Sequence, residues 1–153
     1  MNFENKKYSI SRPVFNVRVY GILIKDDTVL VSDETHAGRS ITKFPGGGLQ
    51  FGEGTHECLK REFMEELQME ISIVNHFYTV DFFQASAFDS SQQVISIYYL
   101  VTNESGKQIE QNTEYGEHTL RWVPLQSIIP KEFTFPIDQK VAELLGENFR
   151  AGK

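Results

Sequence analysis

A glycine triplet followed by a short acidic helix is the feature that most restricts the fold of this chain. The segment 55–67 is the best helix candidate, because Leu59, Phe63 and Leu67 recur every four residues and form one apolar stripe. Thr55 suits the N-cap position, where a side-chain oxygen accepts a hydrogen bond from a free backbone N–H. A helix with one apolar stripe buries that stripe against another element, so this helix is predicted to pack on a sheet.

The same helix carries three carboxylates beside its apolar stripe. Glu62, Glu65 and Glu66 stand at positions i, i+3 and i+4, which places them on one face. Such a face is usually just solvated, but like charges this close destabilise a helix, and a hard cation among the oxygens removes that cost. Glu53 precedes the helix and is near enough to join the three acids. Arg61 is expected to point away from them, to pair with Glu53 and so to support the loop.

Gly46, Gly47 and Gly48 lie directly before this segment, where their backbone can approach a ligand closely. A strand, a glycine turn, a loop and an acidic helix, in this order, favour a cradle for a metal ion and a pyrophosphate. The cradle is not a P-loop, since no Gly-Lys-Ser/Thr sequence follows. The three glycines are therefore candidates for substrate binding, and Lys43 is a further one.

The rest of the chain is predicted to consist mainly of strands. Runs of β-branched and aromatic residues indicate strands at 14–24, 28–32, 41–44, 71–83, 94–102 and 120–123, of which 71–83 is either one long strand or two strands with a kink. The polar segments 33–40 and 103–116 are predicted to be loops. A closing helix is predicted at 136–145, with Gly146 just past its end. Because most strands follow one another without an intervening helix, a Rossmann-type fold is disfavoured.

Composition excludes several classes of protein. The formal net charge of −6 argues against non-specific binding to nucleic acid. It also conflicts with a phosphate substrate, unless a bound divalent cation inverts the local charge. The single cysteine, Cys58, allows no disulfide within the chain and favours a reducing, cytoplasmic setting. The first ten residues lack the apolar run of a signal peptide, and no stretch approaches the roughly 18 apolar residues of a membrane span.

The segment from Gly47 to Met69 resembles the Nudix box of the MutT-like Nudix hydrolase family. That box reads Gly, five residues, Glu, seven residues, Arg-Glu, an apolar residue, any residue, Glu-Glu, any residue, Gly and an apolar residue. The matching positions here are Gly47, Glu53, Arg61, Glu62, Phe63, Glu65, Glu66 and Met69. A chance match of the six charged or glycine positions is on the order of 10⁻⁷ per starting point. Gln68 stands where the family has glycine, which predicts a different helix end.

The resemblance implies an α/β/α sandwich around a mixed sheet, with residues 1–153 forming a single domain. It also implies hydrolysis of the pyrophosphate linkage in a nucleoside diphosphate joined to another moiety, as in a nucleotide sugar, ADP-ribose or a nucleoside triphosphate. The implied cofactor is Mg²⁺, with Mn²⁺ as a possible substitute. The implied metal ligands are Glu62, Glu65, Glu66 and Glu117. The implied catalytic residues are Glu53, Glu62, Glu65 and Glu66, and the general base is left open among Glu53, Glu65, Glu66, Glu114 and Glu117.

Substrate recognition is less visible in the sequence. Candidates for stacking on a base are Tyr20, Tyr78, Phe133 and Phe135, and candidates for phosphate binding are Arg18, Arg39 and Lys43. The pocket is expected between the segments 33–40 and 103–116 and the sheet, and His56 and His118 are interpreted as surface residues. The alternatives are a Nudix-fold module that binds a nucleotide or metabolite without cleaving it, and a regulatory or scaffolding domain. A homodimer is possible, because dimers are common in the family.

Overall fold

Eight strands and two long helices make up residues 13–153, the part of the chain that this computed structural model describes. The amino-terminal segment examined above for a signal peptide lies outside the described residues. The elements are β1 (Val14–Lys25), β2 (Thr28–His36), β3 (Arg39–Lys43), β4 (Gly46–Gly48), α1 (Thr55–Leu67), β5 (Ile71–Thr79), β6 (Gln92–Asn103), β7 (Thr113–Tyr115), β8 (His118–Pro124) and α2 (Pro136–Arg150). Within the described range, neither helix is long and apolar enough to cross a membrane.

The strands form one mixed sheet in the order β5-β6-β1-β2-β8-β7, with β3 paired to β2 and β4 paired to β1. β1 and β6 run parallel from Val14 opposite Gln92 to Leu23 opposite Val101. The other pairings are antiparallel, including that of the glycine strand β4 with the middle of β1. The predicted α/β fold with a mixed sheet is therefore confirmed.

Successive side chains of β1 and β2 enter two hydrophobic cores on opposite faces of the sheet. Val19 and Leu30 pack with α1, whereas Tyr20 and Val31 pack with α2. The stripe predicted on α1 is buried in the first of these cores, since Leu59 and Phe63 are fully inaccessible. One helix on each face of the sheet gives the expected α/β/α sandwich.

The segment 33–40 was predicted to be a loop, and this is wrong. β2 continues through it to His36, and β3 begins at Arg39, so that only Ala37 and Gly38 form the hairpin tip. The polar residues of β2 are satisfied across the sheet, because Asp33 accepts hydrogen bonds from Thr42 (2.7 Å) and Arg121 (2.6 Å). The first pair lies within the β2–β3 hairpin and the second joins distant parts of the chain, and both keep a polar strand in register.

Three other predictions of element bounds are also wrong. The segment 103–116 was predicted to be a loop, but Thr113–Tyr115 forms β7, which pairs with β8. β5 ends at Thr79 instead of residue 83, and the chain then folds back on β6 through a bridge between Ala85 and Gln93. α2 continues to Arg150, and Gly146 lies buried within it instead of ending it. A Cβ on Gly146 would lie 3.0 Å from Ile128, so the glycine permits close packing of the helix.

The bounds of α1 agree with the prediction, although its caps differ. The N-cap is Gly54, whose backbone N–H donates to the Glu57 carboxylate at 3.0 Å. Thr55 is the first helical residue, and its hydroxyl contacts the hydroxyl of Tyr99 at 2.8 Å. At the other end Gln68 adopts the left-handed conformation with φ of 51°. The expectation that Gln68 changes the helix end is therefore wrong, because Gln68 takes up the conformation that usually favours glycine.

Replacement of Gln68 by Gly is expected to stabilise the protein by about 1 kcal/mol. A residue with a Cβ is strained in the left-handed region, and glycine removes that strain while losing more backbone entropy on folding. The bond from Gln68 N to Met64 O (3.1 Å) does not depend on the side chain and is retained. Urea unfolding of the two proteins measures the change. A lower midpoint for the glycine variant would show that the Gln68 side chain stabilises this end of the helix.

Candidate active site

Two of the predicted ligands, Glu62 and Glu66, meet one helical turn apart on α1. Burial, together with the negative charge of Glu62, raises the pKa of Glu66 to about 7. The carboxylate of Glu62 lies against Gly47, since a Cβ on that glycine would be 2.5–2.6 Å from its atoms. The strand β4, predicted as a turn, thus lies against Glu62, and Glu66 follows one helical turn later.

Arg61 binds the acids around it through all three of its guanidinium nitrogens. It donates to both oxygens of Glu53, at 2.9 Å from Nε and 2.6 Å from Nη2, and this confirms the predicted pair. Its Nη1 also donates to Glu62 at 2.9 Å and to Glu65 at 3.2 Å, so the expectation that Arg61 points away from the helix acids is wrong. Nη2 donates further to the carbonyl of Gly48 at 3.1 Å. One side chain therefore links the loop, the glycine strand and the helix.

Glu53 is held as an ionised carboxylate. Hydrogen bonds from Arg61, and a backbone bond of 2.8 Å from Gln50, lower the pKa of Glu53 to about 2. Both of its oxygens are already occupied by these donors. The geometry thus gives Glu53 a role in fixing the loop before α1.

The remaining predicted acids lie further from this pair. The Glu65 side chain is 58% exposed and is joined to Glu62 only through Arg61. Glu117 is exposed in the turn before β8, and Glu114 is exposed on β7. No three His, Cys, Asp or Glu residues in the described range form a ready-made metal cage.

His118 was interpreted as a surface residue, and this is wrong. Its Nδ1 lies 2.8 Å from the Glu34 carboxylate and 3.1 Å from the Ser32 hydroxyl, and only 20% of the side chain is exposed. The hydrogen bond with Glu34 is the main cause that raises the pKa of His118, and the charge of Glu66 contributes. The antiparallel pairing of β2 with β8 brings these groups together, which sequence spacing alone does not show.

A cavity of about 170 Å³ lies on the α2 face of the sheet. Its apolar walls come from Tyr20, Val94, Tyr98, Phe88, Phe135 and Ile137, and its polar groups include Arg18, Glu34, Lys43 and Asp138. The hairpin β2–β3 and the sheet contribute as predicted, whereas the segment 103–116 does not. Residues 84–88 and the start of α2 take its place.

Asp138 forms part of the floor of this cavity and was missed by the sequence analysis. It is 1% exposed, its Oδ1 accepts a hydrogen bond of 2.6 Å from Tyr98, and burial raises its pKa to about 7. An aspartate in the first turn of a helix usually only stabilises the helix end, so its position in sequence gave no signal. The fold places a buried carboxyl group at an otherwise aromatic wall.

The segment 84–88 closes one side of the cavity through Phe88. The Phe88 ring lies 4.7 Å from the ring of His36, 5.6 Å from the guanidinium of Arg39 and 6.4 Å from the ring of Phe135. Of the predicted stacking residues, Tyr20 and Phe135 therefore line the cavity.

The other two stacking candidates do not face the cavity. Phe133 is buried and stacks on Phe44 at 4.8 Å, and the hydroxyl of Tyr78 donates to Asp81 at 2.8 Å. Lys43, predicted to bind substrate, is only 4% exposed, and its Nζ donates to the Gly46 carbonyl at 3.3 Å. It lies between the cavity and the acidic pair, where its positive charge lowers the pKa of Glu66 and so opposes part of the upward shift.

Comparison with solved structures identifies proteins of the same fold. The E. coli ORF135 protein is 18% identical, with a TM-score of 0.69 over 90% of this chain and 92% of that one. The MutT protein from Methanosarcina mazei Go1 is 18% identical, with a TM-score of 0.67 over 92% and 98%. An ADP-ribose pyrophosphatase from Streptococcus suis is 14% identical, with a TM-score of 0.60 over 90% and 92%. At these identities the likeness shows the fold alone.

Sequence comparison gives the family. No curated protein matches the chain. The NUDIX domain family model matches residues 14–145, which include both helices' core residues, the glycine turn and the acidic pair. The chain belongs to the NUDIX domain family.

Proposed function

We propose that this chain is a pyrophosphohydrolase that acts on a nucleoside diphosphate derivative with the aid of a divalent cation, Mg²⁺ or Mn²⁺. The observation that carries the proposal is the pair of half-buried carboxylates on one face of α1, in which Glu62 lies against Gly47 and Glu66 follows one turn later, beside a cavity with aromatic walls. The single cysteine, Cys58, favours a reducing, cytoplasmic setting for this enzyme, which we take to be a single domain.

The residues present fit a hard cation. Mg²⁺ is commonly bound by one or two carboxylates, with water and substrate phosphate oxygens supplying the other ligands. Glu62 and Glu66 offer such a pair. Burial is the main cause that raises the pKa of Glu66, and the charge of Glu62 contributes, so a cation there would offset the cost of holding the Glu66 charge. Glu65 and Glu117 are the further candidate ligands. When bound, the ion neutralises phosphate oxygens and lowers the pKa of a coordinated water.

The side chains around the pair have separable tasks. The ion pair of Arg61 with Glu53 fixes the loop before α1, and its bond to Glu62 orients that carboxylate. Glu53 is the least suited of the candidate bases, because a carboxylate with a pKa of about 2 accepts a proton poorly near neutral pH. The remaining candidates are Glu65, Glu66, Glu114 and Glu117.

The cavity supports a substrate that carries a planar group. Tyr20, Tyr98 and Phe135 provide aromatic surface, and the Asp138 carboxyl offers hydrogen bonding to polar atoms of a base. Lys43 and Arg18 lie on the side of the cavity near the acidic pair, where phosphates would follow the base. One of the similar structures is named an ADP-ribose pyrophosphatase, and a substrate with a base and two phosphates would suit this cavity.

A substrate panel tests the proposal. The protein is incubated with Mg²⁺ and ADP-ribose, nucleotide sugars, dinucleoside polyphosphates, and normal and oxidised nucleoside triphosphates. Release of two phosphate-bearing products, which stops when the metal is chelated, is the expected result. Binding of a substrate without product release would instead support a non-catalytic nucleotide-binding module. Neither binding nor release across the panel would favour a regulatory or scaffolding domain.

A further inference from the structure

The guanidinium of Arg18 lies in the wall of the cavity, on the side nearest α1. Its Nε donates to the Tyr20 hydroxyl at 2.6 Å, and its central carbon lies 5.7 Å from the centre of the Tyr20 ring. A Cβ on Gly48 would lie 3.7 Å from Arg18 Nη1, so the glycine strand passes beside it. Tyr20 therefore fixes the plane of the guanidinium next to the strand that supports Glu62.

The two terminal nitrogens of Arg18 have no acceptor in the described part of the chain. Arg61, in contrast, donates from all three of its nitrogens. Glu62 and Glu34 help to raise the pKa of Arg18, yet neither forms an ion pair with it. No fully buried side-chain nitrogen or oxygen among the described residues lacks a partner, so the free Nη atoms face the open cavity.

The other lysine and arginine side chains in and beside the cavity are already engaged. Lys43 Nζ donates to the Gly46 carbonyl and lies 3.8 Å from Glu34. Arg39 lies on the Phe88 ring, away from the acidic pair, and its Nη1 donates to Ala87 at 3.5 Å. Arg18 is therefore the cationic group of this cavity whose terminal donors remain open to a ligand.

A half-buried guanidinium with open donors favours a tetrahedral oxyanion. Its planar fork binds two phosphate oxygens at once, and such charge-assisted bonds strengthen where water is partly excluded. Arg18 lies between the aromatic cavity and the carboxylate of Glu62, which is the position of a phosphate attached to a cavity-bound nucleoside.

We propose that Arg18 binds the phosphate that joins the nucleoside to the cleaved linkage, and that it thereby selects nucleotide-linked pyrophosphates over inorganic pyrophosphate. This inference rests on the proposed function for the placement of the nucleoside. It makes Arg18 a specificity-determining residue, whose contact with the ligand does not require the metal ion.

Equilibrium binding without metal tests Arg18 directly. The four common ribonucleoside 5′-monophosphates and their parent nucleosides are titrated into the full chain in the presence of a chelator. The wild-type protein is expected to bind at least one monophosphate more tightly than its nucleoside. Arg18→Gln removes two charged hydrogen bonds and should lower the affinity for that monophosphate by about 10- to 100-fold. The affinity for the nucleoside should change less than about 2-fold.

Three further variants keep the result interpretable. Arg18→Lys retains the positive charge but not the planar fork of donors, and its affinity for the monophosphate should lie between those of the wild-type protein and Arg18→Gln. Tyr20→Phe removes only the acceptor of Nε and should give a smaller loss, which protects the test if Arg18→Gln unfolds. Arg150→Gln makes the same change of charge on the exposed last residue of α2 and should leave both affinities unchanged.

Two outcomes would overturn the assignment. Equal loss of monophosphate and nucleoside binding in Arg18→Gln would mean that Arg18 only supports the cavity wall. Equal affinity of the wild-type protein for monophosphates and nucleosides, or binding of neither, would remove the phosphate contact altogether. Because the assay contains no metal and measures no turnover, failure of the proposed hydrolysis leaves a positive result intact.

Discussion

Glu66→Gln is expected to lower turnover by about 10²-fold or more while it stabilises the metal-free protein. Glutamine keeps the size of the side chain but cannot carry the negative charge that a cation or a transferred proton requires. The same change removes the cost of holding a negative charge in this partly buried place beside Glu62, which the raised pKa of Glu66 reports. Activity and stability should therefore move in opposite directions, unlike the result of a variant that simply misfolds.

The stability difference between Glu66→Gln and the wild-type protein is expected to depend on pH. The pKa of Glu66 is about 7 in the folded protein and 4.5 in its ordinary state, so the folded state binds the proton more tightly. The wild-type protein then loses this stabilisation as pH rises from about 4.5 through about 7. Glu66→Gln lacks that loss, so its advantage should be largest at pH 8 and should disappear below about pH 4.

Urea unfolding at several pH values, with and without Mg²⁺, measures these effects. Mg²⁺ should stabilise the wild-type protein at pH 8, because it binds the folded state, and should stabilise the Glu66→Gln variant less. Glu147→Gln is the matched control, since this exposed glutamate on α2 lies outside the site. Near-wild-type turnover of Glu66→Gln at saturating Mg²⁺ would contradict the role given to Glu66.

Gly46→Ala is expected to have the largest effect on folding, with a loss of about 3 kcal/mol or more. Gly46 has φ of +146°, and a Cβ there would lie 2.1 Å from the carbonyl oxygen of Val19 and 2.7 Å from the Cα of Tyr20. Both atoms belong to the backbone of β1 in the middle of the sheet, so they have no room to move. Soluble yield and the midpoint of thermal unfolding measure the loss.

The neighbouring glycine provides a control with the opposite pattern. A Cβ on Gly47 would meet the end of the Glu62 side chain, which can rotate away at little cost. Gly47→Ala should thus fold with a loss of about 1 kcal/mol or less, but should lose turnover because Glu62 leaves its position. The pair of predictions would be wrong if Gly46→Ala were stable, or if Gly47→Ala kept full activity.

Sequence patterns correctly predicted the features that depend on residues close together in the chain. The bounds of α1 and its buried stripe follow from Leu59, Phe63 and Leu67, and the Glu53–Arg61 pair follows from spacing within one loop and helix. The conformation of Gln68 was predicted incorrectly, because helix packing and the bonds at the end of α1 outweigh the intrinsic preference of that residue.

The features that the sequence did not predict depend on pairing between residues distant in the chain. The predicted β2 ended too early because aspartate is typical of loops. In the folded protein Asp33 stays within the strand, since Thr42 and Arg121 donate hydrogen bonds to it. The cavity was incompletely predicted for the same reason, since Arg18 and Asp138 reach it from opposite ends of the chain. Residue type and spacing identify chemical groups, whereas the topology of the sheet decides which of them face one another.

The parallel pairing of β1 with β6 also orders the assembly of the site in time. The acidic helix and the glycine strand contact each other and the nearby β1, and these contacts of moderate sequence separation can form early. The cavity needs β6 and then α2, and closing such long loops is entropically slow. During refolding, the carboxylates of α1 should therefore reach their places beside the glycine strand before the cavity with aromatic walls forms.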